Sequence, residues 1–194
     1  MNQANIILAS SSPFRKELLN RLHLNFSSIS PDIDETRQQN ESAIKYVKRL
    51  AIEKAEEIAR NNPDALVIGS DQCAYLNHEI LGKPGSHENA VKQLQNARNE
   101  EVVFYTGLSV IQKSTGFCEV DCIEFRVGFR DITDAQIEHY LKTEQPYNCA
   151  GSFKSEGYGI GLFSYLKGDD PSSLVGLPLI RLISMLEQAG VKVI

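Results

Sequence analysis

The chain has no apolar run approaching the roughly 18–20 residues that a membrane span needs. Its opening, MNQANIILAS, lacks both the basic start and the long apolar centre of a secretory signal. These absences lead to the expectation of a cytoplasmic protein with no membrane partner. The four cysteines (Cys73, Cys118, Cys122 and Cys149) form no C-x-x-C pair and no zinc spacing with the four histidines, which argues against a metal knot or a disulfide frame. Cys118 and Cys122, four apart on an expected strand, read as packed thiols sharing a face. No G-x-x-x-x-G-K-[ST] or G-x-G-x-x-G falls between a strand and a helix, so P-loop and dinucleotide-binding readings fail. His23, His78, His87 and His139 have no partner pattern, and no Ser–His–Asp order points to acyl transfer. Basic charge is also in deficit, with 20 Lys and Arg against 25 Asp and Glu for a net charge of −5. Nucleic acid wants a basic stripe and is therefore not expected as a partner. A small anion remains open, because a few cations, backbone donors and a metal ion can hold polyphosphate on an acidic protein.

What is present fits an ordinary globular chain. Its 194 residues are 42% hydrophobic and 23% charged, enough for one domain over residues 1–194 or for two packed lobes sharing a core, and no linker divides the chain. NIILA is a short apolar run that reads as a buried strand, and Ser12 and Pro13 then read as the N-cap and first residue of a helix bearing Leu18, Leu19 and Leu22. Residues 25–30 suggest a second strand and 31–40 an acidic loop. From 42 to about 61 a long amphipathic helix carries Ile44, Val47, Leu50, Ala51, Ala55 and Ile58 on one stripe. Residues 65–71 form a strand ending on an acid, 74–81 a hairpin, 82–85 a turn, and 87–98 a helix capped by Ser86. Two long strands over 102–130 turn at 113–116. A Thr-capped helix follows at 133–143, then a glycine-rich stretch at 150–161, and a last helix at 179–188 stopped by Gly190. Interleaved strands and helices with hairpins predict the α/β class, with a mixed twisted sheet flanked by helices.

Chemistry concentrates at a few points. In LASSSPFRKELL, the hydroxyls of Ser10, Ser11 and Ser12 and the cation of Arg15 surround a helix N-terminus, whose N–H groups and dipole attract anions. A capped helix with a solvated arginine is the plainer reading. Asp71 follows LVIGS at the expected carboxyl end of a buried strand, where open α/β sheets place ligands; a carboxylate there serves as general base, metal ligand or turn closer. Lys54 lies seven residues after Val47 and three after Ala51, on or beside the apolar stripe, so it either snorkels or points inward at an anion. Lys83 in GKPG is a cation on a rigid turn. Glu35, in DIDE, is a source of a magnesium ligand or a solvated loop acid. Asp169 and Asp170 in GDDP read as a turn before the last helix.

Taken in order, LASSSPFR, DIDET, RLAIEKA, IGSDQ, GKP, FYTGL, CAGSFKSEG and VGLPL resemble the Maf family of nucleoside triphosphate pyrophosphatases across almost the whole chain. The likeness is to the bacterial branch acting on 7-methyl-GTP rather than the branch acting on dTTP and UTP. It implies a Maf/Ham1-like fold with two lobes around a central cleft. It also implies water attack on the α-phosphorus, release of pyrophosphate, and a divalent cation, magnesium or manganese. By the same resemblance Asp71, Lys54 and Lys83 are catalytic, Ser10, Ser12 and Arg15 bind the phosphates, and Glu35 with Asp71 holds the metal. A homodimer is the family's habit, which the residues themselves do not prove.

Phe14, Gln72 and Glu156 align with the family's specificity positions. Arginine, threonine and glutamine usually stand there in the dTTP/UTP branch, and tryptophan stands first in the methyl-GTP branch, so Phe14 is a departure that remains aromatic. N7-methylation makes guanine cationic, which favours an aromatic face and a carboxylate that accepts from N1–H and the exocyclic amine. The rival readings are a broad house-cleaning pyrophosphatase for modified nucleotides, a dTTP/UTP pyrophosphatase, and a non-catalytic nucleotide-binding regulator. A purely structural partner protein would have no need of these charges around one helix mouth.

Overall fold

A computed structural model describes residues 5–194. Among them the strands are β1 (Ile6–Ala9), β2 (Phe26–Ile29), β3 (Leu66–Leu76), β4 (Glu79–Leu81), β5 (Glu101–Gln112), β6 (Phe117–Phe129) and β7 (Phe163–Lys167). The α-helices are α1 (Pro13–Asn20), α2 (Ala43–Ala59), α3 (His87–Ala97), α4 (Asp134–Glu144) and α5 (Leu179–Gln188). The sheet order is β2-β1-β3-β5-β6-β7, with β4 paired to β3. β1 runs parallel to β2 and β3, whereas β4 is antiparallel to β3 and β7 to β6. The mixed α/β class expected from the sequence is what the chain adopts.

The chain forms two compact units. The first holds the described residues up to Gln72, with Thr106–Ile123 and Asp170–Ile194; the second holds Cys73–Tyr105 and Glu124–Asp169. In the first, side chains alternate across the strands and make two apolar layers. Ile6, Leu8, Leu66, Ile68, Leu108 and Val110 pack with Leu18 and Leu19 of α1 and Leu182, Met185 and Leu186 of α5. Ile7, Ala9 and Val67 pack instead with Ala55, Ile58 and Ala59 of α2. Helices therefore cover both faces, and the order β2-β1-β3 reverses direction at β1. Open sheets place their ligands at such a reversal, beyond the carboxyl end of the strand where it occurs, which here is β1. The second unit gathers Phe104, Phe129 and Phe163 edge-on around Phe153, at ring separations of 5.3, 5.5 and 4.9 Å.

The caps follow the sequence. Ser12, Ser42, Ser86 and Thr133 accept from the backbone of Arg15, Lys45, Asn89 and Gln136. α5 begins on Pro178 with no side-chain cap of its own. Buried Asp170 supplies one from outside, accepting from Ile180 N at 2.8 Å, while Ser172 Oγ accepts from Leu179 N at 2.8 Å. Asp170 thus has the turn-and-helix role expected of it.

Four details differ from the expectations. β3 continues past Asp71 to Leu76, because the following residues are again buried and find β4 as a partner. β7 was not foreseen; after Phe163 its side chains are exposed, so an edge strand of this kind carries no apolar alternation. Ile44 is exposed, and Ala43 is buried in its place, which rotates the start of the α2 stripe by one residue. Cys118 is exposed rather than packed.

α2 lies unusually close to the sheet. A Cβ on Gly69 would come 2.0 Å from the Ala51 carbonyl oxygen, and one on Gly107 2.2 Å from that of Val47. Ser109 Oγ, buried between them, donates to Ala51 O at 2.7 Å. Gly69→Ala is accordingly expected to destabilise the protein by about 3 kcal/mol through overpacking, read as a lowered urea midpoint with an unchanged m-value.

Candidate active site

The site grows from the register of β1 and β3. Ala9, the last residue of β1, pairs with Gly69, so Ser70 and Asp71 run on beyond the end of their neighbour. Asp71 lies inside β3 rather than at its terminus, yet it stands beyond the carboxyl end of β1, because β1 stops first. Its side chain points to the α2 face. Lys54, one helical turn beyond the Ala51 carbonyl that rests on Gly69, meets it there, and Lys54 Nζ stands 2.6 Å from Asp71 Oδ1 and 2.8 Å from Glu35 Oε1. Lys54 is only 6% exposed. The stripe lysine points inward, and two carboxylates compensate the cost of burying it. An ammonium has three donors, so one remains for a further oxygen.

Glu35 comes from the 31–41 loop, which α2 holds in place. Tyr46 Oη donates to the Glu35 carbonyl at 3.0 Å and Arg49 Nη2 to the Thr36 carbonyl at 3.1 Å. Arg49 also forks onto Glu41, with Nε to Oε1 at 2.7 Å and Nη2 to Oε2 at 2.9 Å. These bonds hold the Glu41 carboxyl below its usual range, and the same pairing raises Arg49.

The serine-rich helix mouth lies at the same end of β1. Ser10 is buried; its Oγ accepts from Ser12 N at 3.1 Å, and its carbonyl accepts from Ser28 Oγ at 2.7 Å. Ser12 Oγ accepts from Arg15 N at 3.4 Å, and Pro13 has no N–H. The α1 mouth is therefore largely self-capped, and fewer of its amides are open to an anion than the sequence suggested. The cation beside it matters more. Burial lowers Arg15 from the ordinary arginine value, an effect opposed by the charges of Asp71 and Glu35; an arginine nevertheless stays protonated. Phe14, on the outer side of α1, is 38% exposed.

The structure thus brings Glu35, Lys54 and Asp71 into contact, keeps Arg15 within electrostatic reach of both acids, and sets Ser10 and Ser12 just past the end of β1 in the same unit. Gln72 belongs to the same unit, but both hydrogens of its amide nitrogen are committed, the nitrogen standing 2.7 Å from Ser173 O and 3.1 Å from both Leu174 O and Thr106 Oγ1. Lys83 and Glu156 belong to the second unit. Lys83 is exposed on a turn pinned on both sides, where Gln93 Nε2 donates to Gly82 O at 3.1 Å and Asn89 Nδ2 to Pro84 O at 3.0 Å. Glu156 is exposed and accepts from Ser155 Oγ at 3.2 Å. Both act on the thiol of Cys149, which burial pushes up, with Glu156 adding to that shift and Lys83 opposing it.

A family model described as "Maf-like protein" matches residues 5–189. The chain belongs to the Maf family. Among curated relatives, this Maf protein is 53% identical over 188 residues to a 7-methyl-GTP pyrophosphatase of Pseudomonas fluorescens (strain Pf0-1), covering 97% of this chain and 98% of the relative. It is 51% identical over 192 residues to a 7-methyl-GTP pyrophosphatase of Aliivibrio fischeri (strain ATCC 700601 / ES114), covering 99% and 100%. Among solved structures it shares its fold with the Ham1 protein of Staphylococcus aureus, at a TM-score of 0.58 and 16% identity over 95% of this chain and 99% of that one.

Two tests bear on a metal ion in this Maf protein. Among the described residues no three His, Cys, Asp or Glu cluster as a self-sufficient metal site. Glu35 and Asp71, however, converge on one cation, the Lys54 ammonium. Magnesium characteristically takes one or two carboxylates, with phosphate and water oxygens completing its shell, so this pair fits a cation that arrives with a polyphosphate. Sequence reasoning missed Ser70, Thr106 and Gly176, all on the Gln72 side of β3. They stand inside IGSDQ, FYTGL and VGLPL, motifs of the resemblance, but received no role there.

Arg49 and Glu41 generate a test of how the Glu35 loop is held. Because the folded pKa of Glu41 is depressed, its contribution is present above the ordinary glutamate value and is lost as pH falls through the depressed one. Glu41→Gln is expected to cost about 2 kcal/mol near neutral pH. Urea midpoints for wild type and variant should converge as the pH is lowered toward about 3.

Proposed function

We propose that this Maf protein is a nucleoside triphosphate pyrophosphatase that hydrolyses 7-methyl-GTP to 7-methyl-GMP and pyrophosphate. The observation that carries the reading is the buried Lys54–Asp71 pair at 2.6 Å, set just past the end of β1, in a chain whose full-length relatives bear that activity as their name. Asp71 Oδ1 is bound to Lys54, leaving Oδ2 to accept a proton from water. As the water oxygen bonds to the α-phosphorus, the bond from that phosphorus to the bridging oxygen breaks and pyrophosphate departs. Arg15 and the remaining donor of Lys54 face the phosphate oxygens as their charge shifts. Ser10 and Ser12 lend hydroxyls at the helix mouth, and the family resemblance assigns Lys83 as a further cation.

Charge balance supports a metal requirement. Arg15 and Lys54 are offset by Asp71 and Glu35, so the cluster is neutral, while a triphosphate brings about four negative charges. A magnesium or manganese ion held by Glu35 and Asp71 would supply positive charge at the phosphates when bound. For the base, Phe14 offers an exposed ring to a cationic methylguanine, and the resemblance assigns Glu156 as the carboxylate for its N1–H and exocyclic amine. Gln72 has only its Oε1 to offer, since its nitrogen is engaged elsewhere. Phenylalanine stacks less strongly than tryptophan, which favours a smaller margin over plain GTP and keeps a broader house-cleaning activity as the second reading.

The deciding experiment measures pyrophosphate release from 7-methyl-GTP, GTP, dTTP and UTP with magnesium or manganese. The highest kcat/KM is expected on 7-methyl-GTP; a preference for dTTP or UTP would overturn the substrate, and binding without pyrophosphate release would overturn the enzyme. Asp71→Asn should lower kcat by about 10²–10⁴-fold, the usual worth of a positioned base. Glu156→Gln should harm 7-methyl-GTP turnover more than that of the other nucleotides.

A further inference from the structure

Arg15 approaches the acids of the site from the opposite layer of the sheet, and a tether on that layer sets its position. Its Nε donates to the carbonyl oxygen of Gly176 at 2.7 Å. The same oxygen lies 2.9 Å from Ser70 Oγ, which is also 2.8 Å from the carbonyl oxygen of Gly107 in β5. The single hydrogen of the Ser70 hydroxyl is shared between the two carbonyls, which ties the end of the Pro171–Val175 turn to the sheet. The side chain is fully buried.

The remainder of the turn is held the same way. Gln72, two residues along and on the same face of β3, grips Ser173 O and Leu174 O, and Thr106 Oγ1 donates to Ser173 O at 2.9 Å. Gly176 has φ +106°, a conformation that favours glycine, and a Cβ there would stand 3.3 Å from Arg15 Nε. The guanidinium thus rests on a carbonyl that is itself immobilised. Binding at Nε, the inner donor, orients the plane of the fork and leaves its two terminal nitrogens for an oxyanion. Ser70 and Asp71 are neighbours on one strand with side chains on opposite faces, so β3 carries the acid on one side and the anchor of the cation on the other.

We propose that Ser70 is a positioning residue for Arg15, acting through the Gly176 carbonyl to aim the guanidinium at the substrate phosphates. The proposal rests on the pyrophosphatase reading above. Kinetics separate this role from plain packing inside a buried strand. Steady-state rates with magnesium, on whichever nucleotide the panel shows to be turned over, would be measured for wild type, Ser70→Ala, Arg15→Ala and the double variant. Ser70→Ala is expected to raise KM about fivefold, the usual worth of one hydrogen bond, with a smaller change in kcat. It is expected to have no further effect once Arg15 is alanine, while any loss of melting temperature stays equal in both backgrounds. Equal factors in kcat/KM on both backgrounds, or a loss confined to kcat, would overturn the positioning role and leave the enzyme reading intact. An Arg15→Ala enzyme with unchanged kinetics would remove the phosphate role of Arg15 and this proposal with it. Ser70→Cys, nearly isosteric but a weak donor, should show the same pattern to a smaller degree, and it serves if Ser70→Ala fails to fold.

Discussion

Everything in the site depends on a lysine that the fold has taken out of water. Lys54 is an ammonium beside the apolar stripe of α2, and burying it would be prohibitive without compensation. Asp71 and Glu35 supply that compensation, at 2.6 and 2.8 Å. The consequence is mutual. The lysine is fixed in direction by two acids, and each acid is fixed by the lysine, so charged groups from a helix, a strand and a loop hold one geometry before any substrate arrives. Preorganisation of this kind is what electrostatic catalysis of phosphoryl transfer requires.

Backbone contact makes the arrangement possible. Two glycines, Gly69 and Gly107, let the carbonyls of Ala51 and Val47 rest directly on β3 and β5. α2 is thereby brought near enough that Lys54, on the next turn, reaches the strand. On the other face, α1 and α5 pack on large aliphatic side chains. Arg15 comes from that layer and acts electrostatically on Asp71 and Glu35 because β1 ends at Ala9 and no longer separates the two layers.

Much of this was legible beforehand. The caps at Ser12, Ser86 and Thr133 were correctly read, because capping is a local bond within three residues. The inward role of Lys54 was one of two open readings, since spacing locates a residue on a helix face but does not say what faces it. Asp71 was rightly placed near a strand end for a reason only half correct: the strand that ends there is β1. The serine mouth looked richer in free donors than it is, because its serines cap one another's backbone. β7 escaped notice for want of any apolar rhythm, and Gln72 was assigned to the base although its nitrogen is bound to the 173–174 backbone.

Taken alone, the sequence determined the α/β class, the helix starts, the family and the residue types that carry the chemistry, because these depend on neighbours along the chain or on ordered motifs. Tertiary structure alone decided which charges meet. It placed a lysine of one layer and an arginine of the other around one acid, and made a distant glycine carbonyl the support of that arginine. Such pairings depend on where strands stop and how closely helices approach, and both are set by contacts between segments far apart in the chain.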